Sequence, residues 1–407
     1  MTRILAIMLC LGLFSFADAA ENWTDSGNDV LKRLVSINSG TKNLRGVNEI
    51  QSIIATKLQT LGFQVSFKPN PNGNDKSGEL LVATLKGSKP GYITLVLHAD
   101  TVFEPSVGGS ELKIPADGSQ AVGPGAIDEK GSIVVALSGL EQYLSKKKPL
   151  AYSLRVVSSP SEETGSEGFL DDFRSFSADS VMVLGFEPSL DNGSIVSSRK
   201  GNRWYHIKVA GTEAHAGRTH KDGANACDEL AIKLVELRKL TDYSRGITLS
   251  TGRIDGGKDK FNIVCGFAQA KVDTRFADME NRDLLHQSIE KILSVNHIAA
   301  FDGSHPTKTE YALANDSPPL SEDPISRPWI AKYVEIVNSR ENGSIQAAAS
   351  GGSSDLNYFG RKGLVVIDGL GARGGNMHTA EEFIHLPSLR TRSEALAEFL
   401  RFAQTKL

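Results

Sequence analysis

Near the N-terminus, "NDVLKRLVSIN" and "NEIQSIIATKLQTLGF" repeat apolar residues every three or four positions, the spacing that gives a helix one buried stripe, so two amphipathic helices are expected. The pattern then shortens. "FQVSFK", "ELLVATLKG" and "YITLVLHAD" are compact runs bounded by turn formers and read as strands. "KGSIVVALSGLEQYLSKKK" returns to helix, followed by the strand "YSLRVVSS", a short helix around "SEGFLDDFRSF" and the strand "SVMVLGFEP". Strands this apolar, alternating with helices, predict an α/β fold with a mostly parallel sheet covered by helices on both faces.

From Arg199 the texture changes to "GNRWYHIKVAG", helix "NACDELAIKLVELRKL", strands "GITLSTGRIDGG" and "NIVCGFAQAKVDTRF", helix "NRDLLHQSIEKILS" and strand "HPTKTEYALA". That β-α-β-β-α-β order is a compact α+β module of its own. Helix "PWIAKYVEIVNS", strand "KGLVVIDGLG" and helix "SLRTRSEALAEFLRFAQ" then close the chain. The expected division is a first domain over 20–198 and 316–407, interrupted by a smaller inserted domain over 199–315.

Residues 1–19 have the form of a signal peptide: Arg3, an apolar stretch from Ile4 to Phe16, and Ala17-Asp18-Ala19 as a small-x-small cleavage site. The apolar stretch is shorter than the roughly 20 residues a membrane span needs. A periplasmic or secreted location is expected, with no membrane association once the leader is cleaved. A net charge of -3 and 40% hydrophobic residues over 407 residues describe an ordinary globular chain and favour neither nucleic acid nor an anionic membrane surface as partner. Cys10 lies in the leader. Cys227 and Cys265 remain, either bonded to each other or two buried thiols.

In open α/β sheets ligands bind at the carboxyl ends of the strands. There the chain places His98 and Asp100, Glu162 and Glu163, Glu187, and His378, on four separate strands, while Asp128 in "GPGAIDEKG" opens the next helix. Singly, each has an ordinary explanation as a helix cap or a surface residue. Together, two imidazoles and several carboxylates on one edge are what a pair of zinc ions wants. With His98, Asp128 and Glu187 around one ion, and Asp128, Glu163 and His378 around the other, three carboxylates face four positive charges. The excess charge would acidify a bridging water. Asp100, two residues beyond His98, can take the free ring N–H of that histidine. Adjacent residues in an extended segment point opposite ways, so Glu163 is expected to face metal and Glu162 to serve as general base.

These residues resemble a known family, the co-catalytic zinc exopeptidases and deacylases that include glutamate carboxypeptidase, acetylornithine deacetylase, succinyl-diaminopimelate desuccinylase and aminoacylase. "HADTV", "GPGAIDEKG", "SPSEETGSEG", "GFEP", "GTEAHAG" with "GANA", "FNIVCGFAQAKVDTR", "GGSSD" and "GLGARGGNMHTAEEFI" occur in the family's order across essentially the whole mature chain. The resemblance implies metal ligands at His98, Asp128, Glu163, Glu187 and His378, a general base at Glu162 and a histidine-orienting acid at Asp100. It implies that His215 reaches the active site of a partner subunit to stabilise the oxyanion, so that the inserted domain is a lid that forms a homodimer. It also implies that Asn262 and Arg275 grip the substrate's carboxylate, with Gly351 and Gly352 lining the pocket. Two departures stand out. Cys265 stands where relatives carry proline, and the lysine that glutamate-specific members place after "EP" is absent near Ser194.

The expected function is that of a zinc-dependent metallo-exopeptidase or amidohydrolase holding two Zn ions per subunit, with Co or Mn as substitutes. It would cleave the amide beside a C-terminal amino acid by a metal-bridged hydroxide, acting on a small peptide. The alternatives are an N-acyl-amino-acid deacylase and a non-catalytic metal-binding protein on the same scaffold. A serine hydrolase is disfavoured because no G-x-S-x-G elbow occurs.

Overall fold

A computed structural model describes residues 21–72, 78–105, 111–341 and 343–407. The expected signal peptide over 1–19 lies outside the described residues. The chain forms two compact units. The first ends at Ser197 and resumes over Glu322–Ala348 and Arg361–Leu407; the second comprises Ser198–Ser321 and Ala349–Gly360. The chain therefore makes an extra excursion into the second unit at 349–360, inside the stretch 316–407 that the sequence division keeps in one piece. No helix among the described residues is long and apolar enough to cross a membrane.

The first unit opens with helices α1 (Trp23–Ser36) and α2 (Leu44–Thr60), then β1 (Gln64–Lys68), β2 (Leu80–Leu85), β3 (Lys89–His98), β4 (Gln120–Val122), α3 (Ser132–Leu144), β5 (Tyr152–Ser159), α4 (Leu170–Asp179) and β6 (Ser180–Gly185). β7 (Ile195–Arg199) leads out of it. The second unit holds β8 (Gly201–Ala210), α5 (Ala226–Arg238), β9 (Thr248–Gly256), β10 (Phe267–Phe276), α6 (Met279–Ser294) and β11 (Lys308–Ser317). The chain returns through α7 (Arg327–Glu341), β12 (Ala347–Ser350), β13 (Val365–Ile367) and α8 (Leu386–Lys406).

The first unit is built on a sheet of order β1-β2-β5-β3-β6-β13. β3 pairs in parallel with β5 and β6, and β6 in parallel with β13, while β1 and β2 run antiparallel at one side. Along β3, Ile93, Leu95 and Leu97 are buried and so are the alternating Thr94 and Val96, which means that both faces are covered. Helix α3 lies against α8 so closely that a Cβ added at Gly139 would sit 2.6 Å from Leu396 Cδ2. Any larger residue there would push the two helices apart.

The second unit is an antiparallel sheet of order β11-β8-β10-β9. Ile207, Val209, Ala268, Ala270 and Val272 form its core with Leu230 and Leu237 of α5 and Leu285 and Ile289 of α6. Cys227 and Cys265, left open between two readings by the sequence, are bonded, with Cα atoms 5.7 Å apart.

Candidate metal centre

β5, β3, β6 and β13 stand side by side and parallel, so their carboxyl ends share one edge. His98 is the last residue of β3, Glu162 and Glu163 follow β5, Glu187 follows β6, and the loop after β13 leads to His378. Asp128 comes from the residues before α3. This segment, Ala126–Gly131, is an irregular turn in which Asp128 has non-helical φ and ψ and the Asp128–Glu129 peptide bond is cis. Asp128 thus precedes the regular helix that the sequence expected it to open.

Two triads result. One atom each of His98, Asp128 and Glu187 lie within 4.8 Å of one another, and so do atoms of Asp128, Glu163 and His378. Asp128 is shared, using one oxygen for each side: Oδ1 is 3.1 Å from His98 Nε2 and Oδ2 is 3.1 Å from His378 Nε2. His378 Nε2 also lies 3.4 Å from Glu163 Oε2, and His98 Nε2 3.9 Å from Glu187 Oε1. Close packing fixes Glu187: its carbonyl accepts from Gly371 N–H, and a Cβ at Gly371 would meet that carbonyl oxygen at 2.7 Å and Ser132 Oγ at 2.0 Å. His378 adopts φ 65°, a left-handed conformation that costs a non-glycine residue about 1 kcal/mol or more.

The carboxylate of Asp100 holds the centre from behind. It accepts the Thr41 hydroxyl at 2.6 Å and the backbone N–H groups of Glu162 and Glu163 at 3.0 and 3.2 Å, and its Oδ1 lies 3.4 Å from His98 Nδ1. The segment carrying the two glutamates is a tight turn, Glu162–Thr164, and not the extended chain expected from sequence. Strand alternation, expected to separate the roles of Glu162 and Glu163, therefore does not apply to them. Both N–H groups converge on one acceptor, and the turn, not strand pleating, sets where the side chains go.

The electrostatics show why the cluster needs positive charge. Burial pushes the Glu163 carboxyl well up, and the neighbouring Asp128 carboxylate pushes it further. Burial likewise raises Glu129. Burial would lower His98, but the surrounding carboxylates, Glu129 foremost, raise it well above the ordinary imidazole value. Asp128 goes the other way: burial would raise it, yet hydrogen bonds from His378 and His98 hold it below the usual range. Glu163 Oε1 is buried without a hydrogen-bond partner among the described residues. Imidazoles and carboxylates converging in this way, with one oxygen left over, fit a pair of divalent cations.

Three residues escaped the sequence reading. Glu129 Oε1 accepts His98 N–H at 3.0 Å and its Oε2 lies 3.4 Å from His98 Nε2. Glu382 Oε1 accepts the N–H groups of Ile127 and Asp128 at 2.9 and 3.2 Å, fixing the Asp128 turn, and burial raises its carboxyl to about 7. Lys130, lowered by burial to about 7, donates to the Ile37 carbonyl at 2.7 Å. A signal was present: Glu129-Lys130 lies between Gly125 and Gly131, just ahead of the apolar run over 133–137, a place where charges are out of keeping with their surroundings.

The remaining candidates belong to the second unit. His215 is exposed, with Nδ1 accepting from Gly217 and Arg218 N–H at 3.1 and 3.3 Å. Its neighbour Ala216 donates to the carbonyl of Asn262 at 3.0 Å, which brings these two segments together. The Asn262 side chain is exposed. Arg275 lies on β10, its Nε 2.9 Å from Asp273 Oδ2. Gly351 and Gly352 are exposed, and the carbonyl of Gly352 accepts from Arg199 Nη1 at 3.2 Å.

Residues 197–299 match the family described as the peptidase dimerisation domain. The chain is 23% identical to carboxypeptidase G2 of Pseudomonas sp. (strain RS-16) over 366 residues, 89% of this chain and 85% of the relative. It is 22% identical over 378 residues to succinyl-diaminopimelate desuccinylase of Pelagibacter ubique (strain HTCC1062), covering 86% of this chain and 93% of the relative. Its fold is similar to that of an M20 family metallo-carboxypeptidase from Sulfolobus solfataricus, with a TM-score of 0.73 at 18% identity, covering 93% of this chain and 99% of the other. By these matches the chain is similar to M20 peptidases. It is a metallohydrolase, and the paired triads are its candidate metal ligands.

Proposed function

We propose that this chain hydrolyses the amide bond next to a C-terminal amino acid, as a carboxypeptidase with two zinc ions per subunit. The observation that carries the reading is the pair of triads sharing Asp128, beside a second glutamate whose N–H is held by the same acid that faces His98. Bound to the triads, two cations would supply Lewis acidity towards the amide carbonyl and lower the pKa of a water. His98, Asp128, Glu163, Glu187 and His378 hold the ions. Glu162 takes a proton from the attacking water and returns it to the departing amine. Asp100 orients His98 and, by fixing the Glu162–Thr164 turn, also the base.

In the second unit, His215 acts on the oxyanion of a partner subunit's substrate, Asn262 and Arg275 bind its carboxylate, and Gly351 and Gly352 leave room for it. The leader reading makes the enzyme periplasmic or secreted. Release of an acyl group from an N-acyl amino acid is the second reading, favoured by the desuccinylase among the relatives. Both reactions cut an amide beside a free carboxylate. A screen of dipeptides and N-acyl amino acids with the zinc-loaded and the chelated protein tests the proposal. Turnover that needs metal supports it, and undiminished turnover after chelation rejects it.

A further inference from the structure

Arg275 sits in a row of polar residues running across the second unit's sheet. Asn202 on β8 lies directly opposite Arg275 on β10, and Ser317 on β11 lies directly opposite Asn202. Opposite residues in antiparallel strands project from the same face with Cβ atoms about 5 Å apart. Asn202 is 1% exposed and Ser317 2%, yet Asn202 Nδ2, Asn202 Oδ1 and Ser317 Oγ have no hydrogen-bond partner among the described residues. Buried polar atoms are ordinarily paired, so three unpaired atoms in one row mark a missing partner.

Arg275 is held beside them. Its Nε donates to Asp273 Oδ2 at 2.9 Å, while Trp204 Nε1 donates to Asp273 Oδ1 at 2.7 Å. Asp273 is thereby fixed by two donors and fixes the guanidinium in turn. Neither Nη group of Arg275 is engaged among the described residues, and a quarter of the side chain, 26%, is exposed. An entering anion meets that edge first.

We propose that Asn202, next to Arg275, is a substrate-binding residue for an N-acylated α-amino acid, and that Asp273 is the positioning residue that aims Arg275 at its carboxylate. Such a molecule carries a carboxylate acceptor and an amide N–H donor one carbon apart. Those are the complements of the donor Nδ2 and the acceptor Oδ1 that Asn202 leaves unpaired. Ser317 adds a hydroxyl donor on the far side. The inference rests on the proposed function and deepens it, because it assigns recognition of the free acid to particular groups.

The test compares an N-acyl amino acid with its C-terminal carboxamide on the metal-loaded full chain, with metal content measured for every variant. The wild type should prefer the acid by at least about a hundredfold in kcat/KM, since a charged bidentate pair is lost with the amide; carboxamide turnover below detection counts as that preference. Asn202→Asp sets carboxylate against carboxylate and should raise KM for the acid at least about tenfold, lowering the preference for acid over amide. Asp273→Asn should raise KM for the acid several times more than it changes kcat. Where Asn202→Asp fails to fold, Asn202→Ser keeps a donor of smaller reach and should show a weaker rise in KM. An unchanged KM in a folded Asn202 variant, or equal turnover of acid and amide by the wild type, overturns this binding site while leaving the hydrolase reading intact. No turnover of either compound by the wild type rejects both.

Discussion

Asp100 shows how much one carboxylate can organise. Its carboxylate lies 3.4 Å from His98 Nδ1, whose hydrogen bond goes to the Asp100 carbonyl at 3.1 Å, and accepts both N–H groups of the turn that carries Glu162 and Glu163, so a single residue sets the tautomer of one histidine and the place of two acids. In Asp100→Asn, one of the two oxygens becomes a donor facing N–H groups. Metal affinity should fall about 10- to 100-fold, as read by competition with a chelator, and the protein should melt at a lower temperature. Wild-type affinity in a folded Asp100→Asn protein would remove Asp100 from the centre. The link from Asp100 to His98 was legible as a two-residue spacing in a strand. Its grip on the Glu162–Thr164 turn was not, because that depends on a backbone path which alternation along a strand misrepresents.

At the scale of elements, the order β5-β3-β6-β13 explains why dispersed motifs converge, since four parallel neighbours end on one edge. The apolar runs revealed the strands and their polar followers, and hence the triads. The partners of Glu129, Glu382 and Lys130 were not legible, because they are backbone groups of His98, of the Asp128 turn and of Ile37 respectively. The helix α5 offers a similar case. Glu229 and Lys233 form a fully buried pair at 3.0 Å; Glu229 also accepts the N–H groups of His297 and Ile298 at 2.8 Å, and Lys233 donates to the carbonyls of Ile292, Leu293 and Val295. Burial would raise the Glu229 carboxyl, but the ion pair with Lys233 and the bonds from His297 and Ile298 hold it below its usual range. A depressed folded pKa stabilises the protein above the unfolded value of about 4.3, and that contribution is lost as pH falls through the folded value. Glu229→Gln should therefore melt below the wild type at neutral pH, with the gap closing as the solution is acidified. A gap independent of pH would contradict this.

For the whole molecule, the proposed role of His215 makes two subunits necessary for each active site. Glu162→Gln and His215→Ala should each be inactive, yet in a mixed dimer one site of the two would keep both groups. Equimolar exchange of subunits should restore about one quarter of wild-type activity, because half the dimers are mixed and each has one intact site. Mixed dimers without activity would place His215 in its own subunit's site. The family match over 197–299 and the α+β order of the second unit agree on a separate module, and that module was visible in sequence as a change of texture at Arg199. The excursion of 349–360 into it was not, because "GGSSD" gives no periodicity from which to assign it to either unit.

The central claim is that Asp128 joins two metal sites and that Glu162 serves the reaction without holding metal. Elemental analysis of dialysed wild type and Glu162→Gln, with turnover measured on the same samples, tests it most directly. The account predicts two ions per chain in both proteins and turnover lowered at least about a hundredfold in the variant. One ion or none in the wild type, or metal lost from Glu162→Gln, would contradict it.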